Sequence, residues 1–177
     1  MTKKEWRIFT DVPDELVETW TDVALFGGMV DLAHNDYSLA LNFKQSGDVL
    51  IKYGLQDMEA YELLYPALFN CRHAIELYLK ALVQPTRRSH DLGYLLEGLE
   101  KLLMDHHNTE IPMWFRNLIS EFEQYDPRAT TFRYPGLTTA PEERVVDLSQ
   151  LQRHMHILFQ AFHRIYLAEI DYRKKSS

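Results

Sequence analysis

Residues that punctuate a chain are scarce in these 177 residues. Seven glycines and seven prolines make up about 8% of the chain, against a usual level of roughly 12%. That shortage argues against a many-turned β-sandwich and favours long helices. A single cysteine, Cys71, leaves no internal disulfide and no cysteine-based zinc site. No apolar run approaches the roughly 18 residues of a membrane span. The apolar core of a signal peptide is missing after Met1–Trp6. A cytoplasmic location is expected. Excess positive charge is missing too. Nineteen Lys and Arg against 26 Asp and Glu give a net charge of −7, which disfavours a general nucleic-acid coat but leaves room for a local basic patch. What remains is 46% hydrophobic and 25% charged, the balance of an ordinary globule.

Read as a single domain over 1–177, the chain opens with a loose lead-in over 1–10. Asp11, Pro13, Asp14 and Glu15 then open a helical pattern over 11–25 that carries Trp20, and Gly27-Gly28 interrupts it. A weaker helical pattern runs over about 30–53, where Gly47 offers a break. Pro66 either starts or kinks the next helix. From Ala67 onward the apolar residues Cys71, Ala74, Ile75, Tyr78, Leu79 and Leu82 share one flank of a helix, and Arg72, His73, Glu76 and Lys80 form a charged stripe. Gln84–Arg88 is a turn. Ser89 is the expected cap of a helix carrying Leu92, Leu95, Leu96, Leu99, Leu102 and Leu103, with Asp91 in its first turn. Another helix spans about 113–125 and ends before Pro127. A long loop over 126–146 follows, too long for a mere connector, and Phe132 and Tyr134 point to an ordered loop lying on the bundle. Asp147 and Gln150 make a capping-box variant. Leu148, Leu151, Met155, Leu158, Phe162 and Ile165 then repeat at 3, 4, 3, 4, 3 spacing, a bundle seam. The fold expected is an all-α antiparallel bundle of four to five main helices.

Known catalytic motifs are absent. There is no nucleophile elbow, phosphate-binding loop, dinucleotide fingerprint or zinc-protease motif, and Cys71 sits on an apolar flank as an inert core residue. His73-x-x-Glu76 reverses the carboxylate-bundle order and has no second copy, so no metal and no cofactor are expected. Two polar stripes remain. Arg72, His73, Glu76 and Lys80 form either a solvated face or a polar groove, in which Arg72 and Lys80 hold phosphate. On the last helix Arg153, His156, Gln160 and His163 oppose the apolar seam. Two histidines and an arginine on one stripe suit acid–base work on a phosphodiester.

The run Tyr65-Pro-Ala-Leu-Phe-Asn-Cys-Arg-His-Ala-Ile-Glu-Leu-Tyr-Leu-Lys-Ala-Leu82 resembles the central helix of HEPN domains. His90-Asp91-Leu92 and Phe132-Arg133-Tyr134-Pro135 follow in the order that some members show. The resemblance implies a helical bundle, often dimeric. It also implies either a metal-independent ribonuclease of toxin–antitoxin, phage-defence or RNA-processing systems, or a non-catalytic module. The catalytic members carry Arg, four to six residues, then His near the start of the last helix. No Arg here is followed by His at that distance, the nearest being Arg153-x-x-His156. The expectation is therefore a homodimer that binds RNA or a nucleotide, or a diverged ribonuclease. The alternative is a non-enzymatic partner of a cognate antitoxin or a nucleotidyltransferase. Arg72, His73, Glu76, Arg153 and His156 are the candidate catalytic residues. Lys80, His90, Arg133 and Tyr134 are the candidate ligand-binding residues, with Arg133 expected close to Glu76 and His73.

Overall fold

A computed structural model describes residues 35–57, 60–87, 89–134 and 143–176. The helical pattern read over 11–25, with Trp20 and Gly27-Gly28, lies outside them. Among the described residues the chain is all-helical: α1 (Asp36–Gln56), a 3-10 turn (Ala60–Leu63), α2 (Leu64–Val83), α3 (Leu92–His107), α4 (Met113–Tyr125) and α5 (Leu148–Ser176). The five helices pack within one compact unit, His34–Ser177, and none is long and apolar enough to cross a membrane.

Local chemistry sets the ends. The Asn35 side chain accepts the Ser38 amide while the Ser38 hydroxyl accepts the Asn35 amide, a reciprocal cap that starts α1. Gly47 does not break α1. It is buried mid-helix, and a Cβ there would stand 3.1 Å from the Cys71 sulfur, so the glycine lets α1 and α2 approach closely. Pro66 sits in the first turn of α2, where its missing N–H costs no helical bond. Gln84 and Asn108 end α2 and α3 in left-handed conformations, at φ 48° and 47°. The cap of α3 is Asp91, not Ser89. Its carboxylate accepts the Tyr94 amide, and Ser89 only braces Asp91 by accepting its amide. Asp147 caps α5 by accepting the Gln150 amide, as its spacing implied.

α2 lies at the centre, packed against α1, α3 and α5. Ala74, Ile75, Tyr78, Leu79 and Leu82 are fully buried on it, with Ile51 from α1, Leu92, Leu95 and Leu99 from α3, Phe115 and Ile119 from α4, and Leu158 and Phe162 from α5. Tyr78 packs edge-on to Phe159 and stacked on Phe162, tying α2 to α5. The seam on α5 faces this core: Met155, Leu158 and Phe162 are buried, and Leu148, Leu151 and Ile165 pack partly buried against it. Each buried side chain of this size contributes roughly 1.5–3 kcal/mol of transfer free energy.

At Gly98 of α3 a Cβ would come within 2.6 Å of a Val83 methyl of α2. Helix propensity alone favours alanine at a mid-helix glycine by about 1 kcal/mol. The clash outweighs it, because a packed branched methyl cannot move aside freely. Gly98→Ala should therefore lower unfolding free energy in urea titration by about 1 kcal/mol. A gain in stability would contradict this packing of α2 on α3.

Candidate functional site

The stripe on α2 is not a solvated face. Arg72 is 1% exposed and Glu76 0%. The arc that carries them is covered by the start of α3 and the end of α4, so the charges are compensated inside the bundle. Arg72 Nη1 donates to Glu76 Oε2 at 3.0 Å. Nη2 donates to the His90 carbonyl at 2.7 Å, with Glu123 Oε2 at 3.7 Å. Nε donates to the Asp126 carbonyl at 2.9 Å, and Asp126 Oδ2 lies 3.3 Å away. One guanidinium thus ties α2 to the lead-in of α3 and to the C-terminus of α4. Its five fixed donors suit this use better than an ammonium would. The Leu92 amide at the start of α3 donates to Glu123 Oε2, closing the link between α3 and α4.

The other oxygen of Glu76 faces outward. Oε1 accepts Lys80 Nζ at 2.6 Å and lies 2.8 Å from His90 Nδ1. Burial on its own would raise the Glu76 pKa. The hydrogen bonds and charges of Lys80 and His90 outweigh burial and hold it below the ordinary value of 4.5. Burial raises Glu123, aided by the Asp91 and Asp126 charges and opposed by the Leu92 amide and Arg72. His73 points away from this network. Its ring packs edge-on to Phe43 of α1 and stacks on Phe69, and burial among these rings chiefly lowers its pKa below 6.5. A neutral, ring-packed His73 is a core spacer between α1 and α2. Cys71 is buried, and its thiol is pushed up to about 12, first by burial, so it is no nucleophile.

Asp126 also folds the first part of the long loop. Its Oδ1 accepts the amides of both Thr130 and Thr131 at 2.7 Å, and its carbonyl accepts the Ala129 amide. This holds Ala129 at φ 54°, a conformation that a side chain disfavours. Arg133 follows and does not pair with Glu76. Its Nε donates to the Ala129 carbonyl, and its guanidinium lies 5.8 Å from the centre of the Phe69 ring and 5.7 Å from that of the exposed Tyr134. Phe69 also stacks on His73. The groove expected from Arg72, His73, Glu76, Lys80, His90, Arg133 and Tyr134 together is not assembled. Arg72 and Glu76 are buried, with Lys80 and His90 at their edge, and Arg133 rests on Phe69 and Tyr134 instead.

Arg153 and His156 lie elsewhere. With Lys44, Asp48 and Lys52 of α1 they line an open groove of about 430 Å³. Lys44 pairs with Asp48. Neither Lys52 nor Arg153 has an ion-pair partner among the described residues. Farther along α5, Gln160 hydrogen-bonds His156 Nε2 at 2.8 Å, and His163 Nδ1 shares a 2.6 Å hydrogen bond with the Tyr37 hydroxyl of α1. The second stripe therefore follows the α1–α5 seam. Among the described residues no three His, Cys, Asp or Glu groups are placed to hold a metal ion.

Sequence reasoning missed Asp126, Glu123 and Glu169. Asp126 carried a signal: an acidic residue at a helix C-terminus opposes the macrodipole unless a cation meets it. Glu169 carried another. It continues the α5 seam by the next step of four, a charge in an apolar register. There it is 2% exposed, bound by His106, His107 and Arg173, whose Nη2 also donates to the Leu82 carbonyl at the end of α2.

The family model for the HEPN domain matches residues 52–156, more than half of the chain. The chain belongs to the HEPN family. The match spans α2, α3 and α4 with the buried Arg72–Glu76 pair, and it ends at His156. No curated protein and no solved structure matches the chain.

Two outcomes follow for this HEPN bundle. Removing one partner of a buried pair strands the other, so Arg72→Ala should cost about 3–5 kcal/mol in denaturant unfolding. A loss of only a few tenths would show the pair to be solvated after all. The pH dependence has a definite sign. His73 is lowered, so the unfolded chain takes up its proton first and stability falls as pH drops below 6.5. Glu76 and Glu169 are lowered, so their contribution holds above 4.5 and is lost as pH falls through their native values. Thermal midpoints measured from pH 7.5 to 4 should decline in both windows, and His73→Leu should flatten the upper one.

Proposed function

We propose that this HEPN protein binds RNA through the groove between α1 and the start of α5, and that it does so without cleaving it. The observation that carries the reading is the unpaired Lys52 and Arg153 beside His156 in one groove of an acidic chain. Cations left without carboxylates are available to phosphate oxygens, and Arg153 offers a bidentate fork. The reading without cleavage rests on separation. Arg72, His73 and Glu76 are engaged in packing around α2, whereas Arg153 and His156 face α1, so the candidate catalytic groups do not converge on one reacting atom.

The partner reading has its own support. The α5 seam is used inside the bundle, but Ile157 and Leu167 are exposed on α5, as are Met113 and Trp114 at the start of α4. We propose the exposed face of α5 as the contact of a two-fold homodimer. The start of α4 remains for a protein partner of the antitoxin or nucleotidyltransferase class.

Fluorescence anisotropy with labelled single-stranded RNA in EDTA tests the main reading. Binding should weaken steeply with salt, and Lys52→Ala and Arg153→Ala should each lower the salt slope by about one phosphate contact. Unchanged binding in both variants would reject the groove. Products ending in 2′,3′-cyclic phosphate would replace binding with ribonuclease activity.

A further inference from the structure

His90 is the one member of the Arg72–Glu76 network whose reactive edge is open. Its side chain is 67% exposed, while the carboxylate beneath it is fully buried. An ionised carboxylate can only accept hydrogen bonds, so the 2.8 Å contact puts the imidazole proton on Nδ1. Nε2 is left with its lone pair and has no hydrogen-bond partner among the described residues. Glu76 cannot swing away, because Arg72 holds its other oxygen and Lys80 shares Oε1. This is a carboxylate-oriented imidazole with a fixed tautomer, built from a rigid frame.

The surroundings select the electrophile. Lys80 Nζ is held on the same Glu76 oxygen as His90 Nδ1 and is partly exposed. The first amides of α3 are already taken, Leu92 by Glu123 and Tyr94 by Asp91, so the cation beside the ring is Lys80. A cation favours a dianionic phosphoryl group over a neutral acyl group. We infer that His90 Nε2 is a phosphoryl-acceptor site, taking phosphate from a donor with a good leaving group, a phosphoramidate or an acyl phosphate. The Nε2 lone pair attacks phosphorus. The P–N or P–O bond of the donor breaks, and its electron pair departs with ammonia or the carboxylate. The Nδ1 proton stays on the ring, and the positive charge it leaves there faces Glu76. Nothing is oxidised or reduced.

Four other histidines provide the contrast. His156 has Nε2 occupied by Gln160, and His163 meets a tyrosine hydroxyl rather than a carboxylate. His106 and His107 do meet a carboxylate, Glu169, but they are only 32% and 22% exposed, and Tyr172 stacks on His106 at 4.2 Å.

The test is the full chain incubated with potassium phosphoramidate, with each histidine followed by peptide mass spectrometry and the linkage by 31P NMR. His90 should be labelled at Nε2 about tenfold faster than His163 in the same sample, as expected of an oriented base. The advantage should disappear in urea, where Glu76 no longer meets the ring, and shrink in Lys80→Met, which keeps the buried pair. His90 labelled no faster than His163 in the native chain would overturn the inference, as would an advantage that survives in urea. Neither outcome bears on the proposed RNA binding, whose groove is lined by α1 and α5 and contains neither His90 nor Glu76.

Discussion

A guanidinium buried in the middle of a helical bundle is the constraint on which this structure turns. Arg72 cannot be left uncompensated in a low-dielectric interior, so every element that covers it must bring an acceptor. Glu76 comes from its own helix one turn on, the His90 carbonyl from the lead-in to α3, and Asp126 from the end of α4. The register of three helices is thereby specified by one side chain. A hydrophobic residue would pack there with less demand, but it would not distinguish one sliding position of α3 from the next. Asp126 passes the constraint onward, because the oxygen it does not turn to Arg72 orders the turn through Thr130 and Thr131.

This division of labour explains where exposed chemistry remains. On the α3–α4 side, the frame consumes the charge of Arg72, Glu76 and Asp126, and His90 is the most exposed member of the network. In the α1–α5 groove Lys52 and Arg153 have no ion-pair partner among the described residues. The HEPN signature of α2 therefore reads first as architecture. Its arginine and glutamate assemble the bundle, and its histidine packs between Phe43 and Phe69. A second buried carboxylate, Glu169, closes the far end by joining α3, α5 and the last turn of α2.

Much of this fold was legible in the sequence. The 3, 4, 3 seam of α5, the leucines of α3, the stop before Pro127 and the cap at Asp147 each depend on local periodicity or local hydrogen bonding, which a sequence carries directly. The candidate site was less legible. A helical wheel put Arg72, Glu76 and Lys80 on one arc but could not say that α3 and α4 cover that arc. The wheel measures angle, not depth, and α2 happens to be surrounded. Arg133 was expected near Glu76 because its loop looked too long for a mere connector and the α2 stripe looked like an open charged face. Once Glu76 has Arg72, Lys80 and His90, no demand for a further cation remains. Arg133 settles instead on Phe69. Gly47 read as a break because a glycine's local cost is visible in a sequence, whereas the close approach of α1 to Cys71 is not.

Amide hydrogen exchange in an Arg72→Lys variant tests the frame most directly. Lysine keeps the charge but loses the planar fork that reaches three elements at once. If Arg72 sets the register, protection should fall together at Leu92, Thr130 and Thr131, whose amides donate to Glu123 and Asp126, while the capping amides of Ser38 and Gln150 keep theirs. Unchanged protection at Leu92, Thr130 and Thr131 would show that the bundle holds its register without the buried guanidinium and would contradict the account.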